Sequence, residues 1–547
     1  MSVVTATILS AGKKMDPVFE LVSVDVSHEV NRIPHAQIVF LDGDAAQQKF
    51  TISDDAFFEP GKEIEIKVRY EDAPEKETTV FKGLVVGLGV QAGDFGSLLT
   101  VELKAAAVKL AHGRKSEIFR KKTDDQIISD VIGNAGLKKG KIETTKTKHP
   151  ELVQYYCSDW DFILSRADAQ GLLIIVEDDQ VSLAKIAVTG SPKFTFEFGL
   201  SEIYDFEIEA DAEGQLQTVE SVAWDVKTQK VTKAAKGAEF NLSQGNLKGG
   251  AIAKNLGVSP VTLTGSGPLD PKELQAWSDG AMTRSRMSLL RGRIAVPGVG
   301  KIKLLDVIEI AGVGKRFNGK TLVTGVRHQV DQNGWKTDVQ FGLAAAPFAE
   351  RRDIVDVPAA GLLPAVNGLQ IGVVDKFEED PDKEFRVKVI LPAIDEKQGA
   401  VWARLGAPDA GKGRGYFFRP EPGDEVILGF INDDPRYAVI LGALYGSKNT
   451  PPDAVSKLTQ DNVDKAIVSK TGSAIRFLDD KKSAIFIETP EANKIIFDDD
   501  AQSIEIADQH GNEVKMSKDG VVIKSAKDLT IDARGNVEIK GSKVDIK

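Results

Sequence analysis

Cysteine is nearly absent: Cys157 stands alone among 547 residues, which excludes an internal disulfide framework and any cysteine-based zinc finger. Histidine is scarce as well. The six residues His28, His35, His112, His149, His328 and His510 include no HExxH pair that would set two metal ligands on one helix turn. No apolar run approaches the ~18 residues needed to cross a bilayer. The N-terminus, MSVVTATILSAGKKM, has no basic segment followed by a long apolar core, so no secretory signal is expected. Positive charge is in deficit, with Lys+Arg 70 against Asp+Glu 81, a formal net charge of -11 and a pI near 5.3. That balance argues against a general polyanion binder, whose domains are usually basic. These shortages predict a soluble, acidic, multidomain protein made in a reducing cytosol, with three to four domains at about 150 residues each.

Glycine is what the chain has in excess, 50 residues where ~7% is usual. The glycines recur between short stretches of Val, Ile, Leu and Thr, the pattern of a chain that turns often and forms many short strands. Phe19–Val26, Ile64–Val68 and Leu99–Leu103 alternate apolar and polar, which puts one face in a core and one in water. Three helices interrupt the strands. The first covers 123–134, with Thr123 as N-cap and Ile127, Ile128, Val131 and Ile132 on one face. The second covers 158–168 behind Ser158. The third runs from Pro271 to about Leu290 and carries Leu274, Trp277, Met282 and Met287. The organisation read from these signals is a strand-rich region with three helices over 1–345, which the resemblance described below implies to be two barrel-like domains with helical insertions, then a linker at 346–365, short strands over 366–446, a connector at 447–462 and a tail from 463 to 547.

The tail repeats. VVIK-SAKD, LTID-ARGN, VEIK-GSK and VDIK begin at Val521, Leu529, Val537 and Val544, spaced by eight, eight and seven residues. Looser copies stand upstream at Ile485/Ile487, Ile495/Phe497, Ile504/Ile506 and Val514/Met516. A fixed short period is the mark of a β-solenoid or β-helix. Two apolar residues per repeat do not enclose a core in one chain of short strands, so burying the stripe needs either longer coils or copies from other chains; three chains wound about a common axis would place every such pair inside. Val521, Ile523, Leu529, Ile531, Val537 and Ile539 would then form the core. Winding also removes free strand edges. The plainer alternative is an antiparallel meander with surface alternation.

Other motifs carry less. Gly314–Thr321 matches G-x-x-x-x-G-K-[ST] letter for letter, but a phosphate loop needs a helix after it. The residues that follow, Leu322–His328, are β-branched and read as strand, with Phe317-Asn318-Gly319 as a hairpin turn. Gly411–Gly415 reads as a loop between strands, Asp498-Asp499-Asp500 as a solvated turn rather than a cation site, His510 as a turn residue rather than an axial ligand, and Cys157 as a small core residue. No Gly-x-Ser-x-Gly elbow is present. No catalytic, cofactor-binding or metal-ligating residue is therefore nominated.

Several segments in order resemble a known family. Asn367–Val374, Arg386–Val389, Val401–Leu405, Gly423–Val426, Phe430 with Asp434-Pro435-Arg436, and Leu441–Tyr445 are similar to the OB-fold segment of VgrG proteins and phage baseplate spikes. Ser158-Asp159-Trp160-Asp161-Phe162 before Gly171-Leu172-Leu173 resembles a motif of that family's hub, with Gln170 where Glu is usual. Phe317-Asn318-Gly319 with Val323–Val326 and His328 resembles another. The resemblance implies a mainly β fold: barrel-like hub domains with a few helices, an OB-fold, and a C-terminal intertwined trimeric β-helix. It further implies a non-enzymatic homotrimer that is the central spike of a contractile injection apparatus, joining inner-tube and baseplate proteins to a membrane-piercing tip. The expected cofactors are none, and no nucleic-acid partner is expected. A PAAR-like tip protein is expected at Val544, Asp545, Ile546 and Lys547, with transient contact to a target membrane. Assembly would take place in the bacterial cytoplasm, and action in a released particle or a secretion apparatus. An enzyme-bearing β-helix acting on surface glycan is the alternative, and a single-strand-binding OB-fold a third reading.

Overall fold

The computed structural model describes residues 3–93, 96–265, 267–350, 354, 357–393, 400–457 and 459–547. The chain divides into two compact units, Met1–Asp356 and Val357–Lys547. The division falls inside the predicted linker of 346–365, of which 351–353, 355 and 356 lie outside the described residues.

In the first unit the alternating segments become strands of one fourteen-stranded sheet. Glu20–Glu29 lies between His35–Leu41 and Gly319–Asp331, so the earliest strands pair with strands some 300 residues later in the sequence. Val24, Val26, Ile38, Phe40, Ile64, Ile66, Val101 and Leu103 fill a first core. Ile294, Val296, Ile308, Ile310, Val323, Val339 and Phe341 fill a second. The two cores share this sheet.

The helices fall where the caps placed them. α1 (Asp124–Asn134) is capped by Thr123 in a capping box with Gln126 and buries Ile127, Ile128, Val131 and Ile132. α2 (Asp159–Ala169) is capped by Ser158, whose hydroxyl accepts from the Asp161 N–H. Both pack on a three-stranded sheet, Lys138–Ile142, Leu172–Glu177 and Gln180–Lys185. A short α3 (Gly249–Asn255) was not foreseen from the sequence. α4 spans Pro271–Met287, capped by Asp270; it stops short of Leu290, which opens the strand Leu290–Pro297. Trp277 is only half-buried. Cys157, expected in a core, is likewise half-buried at the rim of the α1–α2 core, and burial pushes its thiol pKa up.

The phosphate-loop lookalike is a hairpin, as the flanking residues predicted. Val307–Ala311 pairs antiparallel with Gly319–Asp331, and the Phe317 and Asn318 N–H groups donate to the Gly314 carbonyl. Gly319 sits at φ +131, where a Cβ would lie 2.3 Å from the Ser243 carbonyl oxygen. Only glycine fits there.

The second unit opens with a closed barrel of five strands: Gln370–Val374, Val387–Ile390, Ala400–Leu405, Ala438–Ala443 and Glu425–Phe430. Ala400–Leu405 and Ala438–Ala443 close it through a parallel pairing. Val374, Val387, Val389, Ala403, Val426, Leu428 and Ile440 form its core. The barrel is an OB-fold. Gly411–Gly415 is the tip of a small hairpin, as expected. From Asp464 to Lys524 follows a seven-stranded antiparallel sheet in sequence order. Its ladders join neighbouring strands of the same chain, so within one chain this segment has the meander pairing. Beyond Lys524 there is no strand, because the last strand's outer edge has no partner within the chain. The expected repeats at Leu529, Val537 and Val544 are thus unpaired in the single chain; winding with other chains is a separate matter, taken up below.

Candidate functional site

The C-terminal sheet has the face that calls for explanation. Its register places Ile467, Ile475, Ile487, Ile495, Ile506, Val514 and Ile523 in one row across all seven strands. Two residues along, Lys465, Phe477, Ile485, Phe497, Ile504, Met516 and Val521 make a second row. Side chains two apart share a face, so both rows lie on the same side of the sheet, and every position but Lys465 is apolar. Among the described residues nothing covers them: Ile487 is 40% exposed, Phe497 41% and Ile523 61%.

The other side is mixed: its central row reads Ala466, Arg476, Phe486, Ile496, Glu505, Lys515 and Val522. Arg476 lies over the Phe486 ring at 4.4 Å, and Lys494 and Lys515 flank Glu505 at 2.7 and 3.9 Å. The hydrogen bond to Glu505 raises the Lys494 pKa. Charged side chains are thus interspersed with the apolar ones on this side, whereas the two-row side is apolar at every position but Lys465. The turns are Asx-type. Asp508 accepts from the backbone of His510 and Asn512 and from the Asn512 side chain, an arrangement that holds the Asp508 carboxyl below the usual range. His510 is exposed in that turn, and Asp500 pairs with Lys482 in another.

Of the residues nominated from sequence, Val521 and Ile523 stand in the two rows, on the last strand. Leu529, Ile531, Val537 and Ile539 lie past the last strand and are 56–68% exposed; the structure does not bring them together with the rows. Val544 and Ile546 are exposed as well, at 51% and 93%. The octad reasoning missed the first two strands, with Ile467, Ile475 and Phe477. Their signal was present as Ile475-x-Phe477, and the turn after Val468 has the same length as those after Glu488 and Ala507.

Elsewhere, charges are spent on one another. A groove of ≈ 820 Å³ on the first unit's sheet has Arg293 between Asp205 and Asp338 at 2.9 and 3.0 Å, and Arg327 bound to Asp25 at 2.5 Å. Buried Asp124 takes Arg166 at 2.6 Å, His149 at 3.0 Å and Gln170 at 2.8 Å. Burial pushes its carboxyl up, but the His149 and Arg166 bonds outweigh that and hold it low. Among the described residues no group of three His, Cys, Asp or Glu is placed to hold a metal ion.

Comparison with known proteins agrees with this division. The family described as the Alg8 N-terminal domain matches residues 1–332. The chain belongs to that family. Behind its Alg8 N-terminal domain, the Type VI secretion system/phage-baseplate injector OB domain matches 370–445, the closed barrel, and the phage baseplate V C-terminal trimerisation domain matches 484–547, most of the two-row sheet and the tail. Curated relatives include the Type VI secretion system spike proteins VgrG1a and VgrG1b of Pseudomonas aeruginosa. They are 30% identical over 212 and 232 residues, which is 34% and 39% of this chain and 32% and 30% of theirs. The chain thus spans about a third of the length of these relatives. Among solved structures, the prophage MuSo2 43 kDa tail protein from Shewanella oneidensis aligns at TM-score 0.46 and 11% identity, covering 63% of this Alg8-family chain and 99% of that one. A likeness that loose decides nothing by itself.

Proposed function

We propose that the protein is the structural spike and hub of a contractile injection apparatus, acting as a homotrimer whose three C-terminal sheets close their apolar faces on a common axis. The single observation that carries the reading is the two-row face of 464–524, apolar at every position but Lys465 and uncovered in the chain. Burying such a side chain contributes about 1.5–3 kcal/mol, so exposure of the whole face is a large standing cost that self-association removes. The trimerisation-domain match over 484–547 and the VgrG spike relatives support it. Three sheets closed on one axis would make a stiff prism. Each strand is held by its own chain's ladders and by side chains from two neighbours, which suits a part that transmits thrust.

Within this reading the domains divide as a hub over 1–345, an OB-fold over 366–446 and a needle over 463–547. The unpaired repeats at Leu529, Val537 and Val544 would pair between chains, as an intertwined β-helix. Their exposed last residues, Val544, Asp545, Ile546 and Lys547, would receive a tip protein of PAAR-like kind, and the first unit would meet the inner tube and baseplate. The protein would be assembled in the bacterial cytoplasm and act in a released particle or a secretion apparatus. The chain's role in this reading is mechanical and uses no catalytic residue.

Light scattering of the purified chain tests the proposal. A mass three times 59.1 kDa is expected, and a monomer at micromolar concentration would sink it. Hydrolysis of peptidoglycan or capsule by the same preparation would instead favour an enzyme-bearing spike.

A further inference from the structure

The OB barrel carries two apolar patches that the described residues leave exposed, and they differ in kind. One is on the barrel wall, where exposed Leu369, Ile371 and Leu441 surround Gly429. A Cβ on that glycine would approach Leu441 Cδ1 to 3.3 Å and Leu369 Cδ2 to 3.7 Å, so the glycine leaves a shallow apolar seat. The other is a projection. Between Arg414–Gly415 and Glu425–Phe430 the chain raises Tyr416, Phe417 and Phe418, which are 58%, 63% and 63% exposed. The Arg419 guanidinium lies over the rings of Phe417 and Phe377 at 5.1 and 5.6 Å and holds the loop in shape without folding it onto the barrel.

The loop is also tied to the needle sheet. Glu421 at its base pairs with Lys470 at 2.7 Å, in the turn between the strands Asp464–Val468 and Ala474–Asp479. The aromatic projection therefore stands beside the edge of the very sheet whose apolar face requires other copies.

We infer that the Tyr416–Phe418 loop of one protomer seats on the Leu369–Gly429–Leu441 wall of the next, forming a ring of OB barrels above the needle. The inference rests on the trimer reading. A closed ring of three needs a heterologous interface, two different patches per protomer that meet head to tail, whereas a twofold contact uses one patch twice. The barrel has two patches, one projecting and one receding. Large aromatic side chains entering an apolar pocket are also the commonest anchors of protein interfaces.

The test uses the full chain with Cys157→Ser, so that introduced thiols stand alone. Phe417→Cys and Leu441→Cys are combined, treated with a short bis-maleimide and run on a denaturing gel, with each single variant alongside and light scattering of the untreated protein in parallel. Covalent dimers and trimers from the double variant, absent from both singles, are expected. A trimer by scattering without those bands overturns the docking and leaves the trimer standing. Bands of equal strength from one single variant mean that like meets like, and also overturn it. A monomer by scattering overturns the trimer reading itself. In addition, Phe417→Ser with Phe418→Ser, both at exposed positions, is expected to raise the concentration at which trimers dissociate by about tenfold or more. An unchanged dissociation concentration counts against the docking.

Discussion

Two buried residues show how the first unit sets its conditions for stability. His328 is 3% exposed, hydrogen-bonded through Nδ1 to the Thr337 hydroxyl at 3.0 Å and packed near Trp335. Burial, with a smaller push from His28, lowers its pKa to about 3. A histidine that folds neutral contributes its full stability above the unfolded value near 6.5 and loses it as pH falls toward 3. At pH 5 the loss amounts to about 2 kcal/mol. Urea unfolding of the protein should therefore show a lower midpoint at pH 5 than at pH 7, and His328→Asn should flatten that dependence; an equal slope in the variant would assign the effect elsewhere. Asp124 works the other way. It is fully buried against Arg166 and His149, and Asp124→Asn would remove one of the two carboxylates paired with Arg166, leaving only Glu273 at 2.9 Å. Breaking such a pair costs about 3–5 kcal/mol, so a clear fall in the urea midpoint at pH 7 is expected. Asp124 was visible in the sequence only as a polar first-turn residue of α1. Its partners come from 25 and 42 residues away, and no local pattern encodes them.

Elements were legible in proportion to how local their causes are. Thr123 and Gln126 fix the start of α1 through bonds within four residues, and Ser158 does the same for α2, so those two caps fell where the letters put them; α4 was placed by Pro271, and its cap, Asp270, was not read. The hairpin at Phe317–Gly319 was readable for the same reason, from the β-branched residues after it. α3 was not, since Lys248 caps it without a side-chain bond and its glycines give no helical signal. In the tail the sequence carried the apolar alternation, but pairing depends on what lies across the strand edge. The same period fits strands of one chain or of three. Ile487 offers a direct check at this scale. In the single chain it is on an open face, so Ile487→Asp should leave the strand pairing of the monomer intact; in a closed trimer it would bury a carboxylate in each chain without a partner, a heavy cost. Light scattering is expected to show dissociation of the variant. A trimer as stable as the parent would mean that this face is not the one covered.

For the whole molecule, stability should depend on the tail through neighbour coupling, as in repeat proteins generally. Removing 521–547 takes away Val521 and Ile523 from the rows together with the unpaired repeats. Thermal dissociation of the trimer is expected at a lower temperature, while the first unit, with three cores of its own, should unfold as before. Differential scanning calorimetry separates the two transitions, and an unchanged dissociation temperature would remove the tail from the assembly. The place of the open apolar face in the chain also bears on manufacture. The strands of the first unit and the barrel, from Val4 to Ala443, are synthesised before the two-row sheet, and domains generally fold in that order. The adhesive segment thus emerges after them, and on the trimer reading its exposed lifetime is the interval needed to meet two siblings. Chains translated from one message stand close together, so assembly on the polysome would shorten that interval more than any change in the sequence of the face itself.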